Sequence, residues 1–138
     1  MKHQIKKIKI KTGRDANQML IKKLAKNFIK SGSLITTKTR AKFLISFLER
    51  LLDKAKKNPE KSQEYLFRRL GDKKIIRVII QQIVPLIKEK TSGYLKLHLL
   101  KRRIGDGALM AKVEWSFPVV LKVSQSKKEK KKKEIVKK

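Results

Sequence analysis

Cysteine is absent from the 138 residues, and histidine occurs twice, at His3 and His98. The missing cysteines exclude disulfides, thiolate metal sites and cysteine nucleophiles together, and two histidines so far apart leave little from which to build a metal centre. Aromatic residues are few, five Phe, two Tyr and one Trp. Most fall at apolar positions of predicted helices or strands, so a base-stacking platform is not expected. No apolar run approaches the roughly eighteen residues of a membrane span, and the start MKHQIKKIKIK has no apolar signal core. The chain is therefore expected to stay in the cytoplasmic compartment where it is made. Scarcest relative to need are acids: 11 Asp and Glu stand against 39 Lys and Arg, a formal net charge of +28.

A hydrophobic content of 40% supports one modest core, so a single domain with tails is the reading for this length. So large a charge repels itself in a compact chain unless a polyanion neutralises it, which points to nucleic acid before any small-molecule substrate. An anionic membrane surface is the second candidate. It ranks well below, because there is no lipidation cysteine and no N-terminal lipidation motif. Lys outnumbers Arg by 31 to 8, a bias towards point-charge phosphate contacts rather than bidentate base reading.

The stretch from Ser92 to Trp115 anchors the fold prediction. Leu95, Leu97 and Leu99 alternate with Lys96 and His98, and Ala111, Val113 and Trp115 alternate with Lys112 and Glu114, the period-two pattern of a β-hairpin with one apolar face. That face needs helices to cover it. Ahead of it, Asp15 with Gln18 reads as a capping pair that opens a helix ended by Ser31-Gly32. Leu34 to Thr37 is a short β-branched strand, and Thr37 or Thr39 caps a long helix with Ala41, Leu44, Leu48, Leu51 and Ala55 in its stripe. Asn58-Pro59-Glu60 starts a short helix, and Gly71-Asp72 ends it and caps an Ile-rich one that Pro85 should kink or end near Val84. The prediction is an α+β fold in two layers, order α-β-α-α-α-β-β, with a small three-stranded mixed sheet packed on helices.

Three segments follow: a basic arm over residues 1–14, a globular RNA-binding domain over 15–117 and a Lys-rich disordered tail over 118–138. An edge strand is the alternative for the arm, since Ile8-Lys9-Ile10-Lys11 alternates. Six net charges at each end leave sixteen of the twenty-eight on residues 15–126, so the folded part is basic too. In the long helix, Lys38, Arg40 and Lys42 crowd the first turns, where the helix dipole is already positive. An external phosphate would relieve that conflict. The candidate RNA-binding residues are Lys2, His3, Lys6, Lys7, Lys9, Lys11 and Arg14 on the arm, Lys22 and Lys23 on the first helix, Lys38, Arg40 and Lys42 on the long helix, and Lys96, Lys101, Arg102 and Arg103 on the hairpin.

No pair suits acid–base or nucleophilic catalysis. His98 reads as a solvent-facing strand residue, and Asp106 and Glu114 are surrounded by cations with which they would pair. Gly105-x-Gly107 lacks the third glycine and following helix of a nucleotide loop. Tyr94 is read as packing the helix-to-strand turn, with stacking on an unpaired base as its alternative.

Several landmarks in order carry a family resemblance: Met1-Lys2-His3, Thr36-Thr37 leading into Arg40-Ala41-Lys42, Arg69 to Asp72, Gly93-Tyr94, and Gly105-Asp106 followed by Met110-Ala111 and Glu114. Over about Met1 to Trp115 the chain resembles the bacterial-type large-subunit ribosomal protein L-seventeen family. The resemblance implies a two-layer fold bound to large-subunit, 23S-type ribosomal RNA, an architectural role among neighbouring large-subunit proteins, no enzymatic activity, no cofactor, no small-molecule substrate and no membrane. There are departures. The family's Gly-Arg pair falls two residues late, at Gly13-Arg14, and its His-Arg pair is Ala16-Asn17. Its Pro before Met-Ala is Leu109, its Gly-Pro ahead of the hairpin loop is Lys101-Arg102, and the Lys-rich tail is not shared. The alternative is a non-ribosomal basic nucleic-acid-binding protein of nucleoid or RNA-chaperone type.

Overall fold

A computed structural model of the chain describes residue 10 and residues 13–119. Apart from residues 10, 13, 14, 118 and 119, the expected arm and tail lie outside the described residues. The elements are α1 (Arg14–Ser31), β1 (Ser33–Thr37), α2 (Lys38–Lys57), α3 (Pro59–Leu70), α4, β2 (Leu95–Arg102) and β3 (Leu109–Trp115). Helix α4 begins as Lys73–Val78, passes through a π-helical stretch, Ile79–Ile83, and closes with a turn, Val84–Leu86. This is the expected α+β order.

Local chemistry sets most boundaries. Gly32 stops α1 in a left-handed conformation (φ 76°) and donates its N–H to the Phe28 carbonyl at 2.8 Å, a geometry that costs glycine little. Pro59 occupies the first turn of α3, and the Asp72 carboxylate accepts the Lys74 N–H at 3.0 Å to cap α4. The start of α1 departs from expectation. Gly13 holds the N-cap position, and Asp15 lies inside the first turn, where a carboxylate still meets the positive end of the dipole. Pro85 lacks an N–H and its ring crowds the preceding turn, and the π-helical stretch just upstream is where the helix accommodates it.

The sheet has the order β1-β3-β2, with both pairings antiparallel. The expectation of a mixed sheet is corrected: β1 does run parallel to β2, but β3 lies between them, so the two never pair. Register places Leu34 opposite Val113, Thr36 opposite Ala111 and Leu97 opposite Val113. One face thus carries Leu34, Thr36, Ala111, Val113, Leu95 and Leu97, and the helices cover it.

The centre of the core is α2 rather than the hairpin. Its Ala41, Leu44, Leu48, Leu51, Leu52 and Ala55 are all buried, and it packs on all three strands and on α1, α3 and α4. Each buried leucine contributes roughly 1.5–3 kcal/mol relative to exposure. An aromatic row closes the end of β3 onto α1: Phe28 and Trp115 have ring centroids 4.9 Å apart, and Trp115 and Phe117 5.6 Å. Leu99 lies on the hairpin's apolar side but is 55% exposed, because it sits at the β-bulge between Leu99 and Arg102, where the hairpin runs out past the helices.

Candidate nucleic-acid interface

Strand order and register decide which basic residues meet. Thr37, the last residue of β1, pairs with Met110, and the neighbouring Leu109 pairs with Arg102 of β2. The chain turns from Thr37 directly into α2, so Lys38 and Arg40 emerge at the same end of the sheet as Lys101 and Arg102. With strands about 4.8 Å apart, one cationic end is assembled from two segments some sixty residues apart in sequence.

Among the described residues, this end has no free acid. The first turn of α2 contains none, and the Thr37 side chain caps no N–H, so the helix presents Lys38 and Arg40 together with its own positive pole. In the hairpin loop the carboxylate is spent internally. Arg103 Nε donates to Asp106 Oδ1 at 3.0 Å and its Nη2 to Oδ2, and the Ala108 N–H donates to Asp106 Oδ1 at 3.2 Å. Backbone bonds from Arg103 N–H to the Ala108 carbonyl (2.9 Å) and from Gly107 N–H to the Arg103 carbonyl (3.0 Å) complete a tight loop. The Arg103 hydrogen bond, aided by the Ala108 N–H, holds the Asp106 carboxyl down at about 2, and the Arg103 guanidinium is raised in turn. Arg103 therefore orders the loop, and Lys101 and Arg102, both exposed and with no ion pair among the described residues, are left to face a ligand.

Other candidates stand apart. Lys42 is exposed one turn further along α2, and Lys96 is exposed on the sheet face turned away from the helices. Lys22 and Lys23 lie midway along α1, and Arg14 opens it. Lys2, His3, Lys6, Lys7, Lys9 and Lys11 lie outside the described residues. His98 is exposed as expected, with Nε2 3.7 Å from Glu114 Oε2. Glu114 is held below its usual range first by its hydrogen bond from Lys112, so its carboxylate is shared between that ammonium and the imidazole. Tyr94 is fully buried, and its hydroxyl donates to Asp53 Oδ1 at 2.7 Å; it packs the helix-to-strand turn and is closed to a stacked base. Among the described residues, no group of three or more His, Asp or Glu could hold a metal ion, and no helix is long and apolar enough to cross a membrane.

The sequence pattern described as Ribosomal protein L17 matches residues 20–116. The chain belongs to this ribosomal protein family. It is 35% identical over 116 residues to a large ribosomal subunit protein bL17 of Sulfurihydrogenibium, covering 83% of this chain and 96% of that protein. A protein of the same name from Methylacidiphilum infernorum is 32% identical, with 84% and 88% covered. That of Thermus thermophilus is 33% identical, with 76% and 95% covered. The family match spans α1 from its second turn through β3, so it contains the whole cationic end. The arm residues fall before it. Sequence reasoning nominated both halves of this end, but their adjacency depends on a strand order that no local signal specifies.

Proposed function

We propose that the protein is an architectural, non-catalytic constituent of the large ribosomal subunit that binds and stabilises large-subunit ribosomal RNA, mainly through its phosphates. The observation that carries this reading is the cationic end formed by Lys38 and Arg40 at the start of α2 beside Lys101 and Arg102 of the hairpin, where the one loop acid, Asp106, is already taken by Arg103. Helix N–H groups and point charges converge there on what a phosphate backbone offers. Arg103 serves by holding the loop. Lys42, Lys22, Lys23 and Lys96 provide outlying contacts, and the arm residues Lys2, His3, Lys6, Lys7, Lys9, Lys11 and Arg14 reach further RNA. The bL17 relatives are named as large-subunit proteins, which supports placement beside other proteins of that subunit, on a ribosome of bacterial or organellar type.

Cosedimentation with large subunits through a sucrose gradient at moderate salt tests the placement, and recovery only in the free fraction would defeat it. With six to ten phosphates contacted, affinity for the RNA falls by roughly three to five decades between about 50 and 200 mM salt. Replacing Lys101 and Arg102 together by Ala lowers affinity and flattens that slope by about two phosphates. An unchanged slope would show that the hairpin faces away from the RNA.

A further inference from the structure

Among the described residues, strand β2 is an edge of the sheet with no partner on its outer side, and a groove of about 540 Å³ runs between it and α2. Leu95 and Leu97 form one wall, and Ile45, Glu49 and Asp53 line the other. These three recur every fourth residue along α2, a repeat of about 6 Å, whereas same-side residues of a strand recur every 6.6 Å or so. A strand added to the edge would therefore drop every second side chain opposite one of them.

The charges in this groove are anomalous for so basic a chain. Glu49 makes no hydrogen bond or ion pair among the described residues, and Asp53 accepts only the Tyr94 hydroxyl, from the core side. Burial, then the proximity of Asp53, raises the Glu49 pKa, as expected of a partly desolvated carboxylate with a second one beside it. Of the cations lining the groove, Arg50 is turned back onto the Ser46 hydroxyl at 3.0 Å and Lys42 lies at the far end. Two carboxylates repel phosphate, so RNA does not belong here. A second copy would set its whole net charge of +28 against this one, whereas a single extended segment brings only the few cations the groove can pair, and two carboxylates are too few for a metal site. What remains is an extended peptide whose unpaired backbone groups meet the β2 edge, with an apolar residue towards Ile45 and Lys or Arg towards Glu49 and Asp53.

We propose that the β2 edge and the α2 groove take up, as a fourth strand, an extended Lys- or Arg-containing segment of another large-subunit protein. This rests on the ribosomal reading. The test places a photo-crosslinking amino acid at Arg50 of the full chain, isolates large subunits, confirms the chain in them by immunoblot, and sequences the cross-linked peptide. The expected product is a segment of another ribosomal protein alternating apolar and basic residues, and Glu49→Lys lowers its yield about tenfold or more with incorporation unchanged. Absence of the chain from subunits overturns the ribosomal reading along with this one. Presence without a cross-link, a cross-link to RNA, to a second copy or to residues 120–138 of the same chain, or a yield indifferent to Glu49→Lys, overturns the groove proposal alone.

Discussion

Exposed ion pairs add little to stability as a rule, so the value of the Arg103–Asp106 clamp lies in the order it imposes on the loop. Asp106 titrates well below an ordinary carboxylate, at about 2. A depressed acid contributes order that is complete above the unfolded value near 4 and is lost as pH falls through about 2. The Ala108 amide, bonded to Asp106, should report this transition by NMR, and a midpoint near 4 would mean that the clamp is not formed in solution. Asp106→Ala is expected to leave the melting temperature nearly unchanged and to weaken RNA binding, since Lys101 and Arg102 lose their platform. Tyr94 behaves in the opposite way. Burial first and the hydrogen bond to Asp53 second push its hydroxyl up to about 12, so the stability it provides is full below pH 10 and declines as pH rises from 10 to 12. Tyr94→Phe should cost about 1 kcal/mol by denaturant unfolding, with RNA affinity unchanged; lost affinity would contradict its assignment to the core.

Helix α2 carries a conflict that separates stability from function. Arg40 is its third residue and Thr37 its uncapped N-cap, so Arg40→Glu completes the Thr-x-x-Glu capping box and places an anion at the positive pole. The free protein should gain about 0.3–1 kcal/mol, read as a higher melting temperature, while RNA affinity drops. If both fell together, Arg40 would be a structural residue. At this scale much of the fold was legible in the sequence, because helices and strands announce themselves by periodicity and stop signals: Gly32, Pro59 and Asp72 all act where they were expected to. Less legible were features set by distant partners. Gly13 holds the N-cap position expected of Asp15, α4 answers Pro85 with a π-helical stretch and runs on to Leu86 where a kink or an end near Val84 was expected, and β3 rather than β2 lies beside β1. The candidate site followed the same division. Its residues are legible from charge and from their place at the positive end of a helix, but the meeting of α2 with the hairpin and the groove beside Glu49 and Asp53 both need the strand order.

Over the whole molecule, the net charge of +28 makes salt act in opposite directions on folding and on binding. In the free protein, like charges repel across a compact surface with few compensating acids, and ions screen that repulsion over a Debye length that shrinks from about 30 Å at 0.01 M to about 8 Å at 0.15 M. Raising salt should therefore raise the melting temperature; relief of about 1 kcal/mol corresponds to roughly 4–8 °C for a domain of this size. Sulfate or a polyphosphate should do more at equal ionic strength, by binding the cationic end rather than merely screening it. The same salt series weakens RNA binding through counterion release. Calorimetry and RNA titration on one preparation check both signs. A melting temperature that fell or stayed level with salt would mean that the folded part already balances its charge internally and has no thermodynamic need of a polyanionic partner.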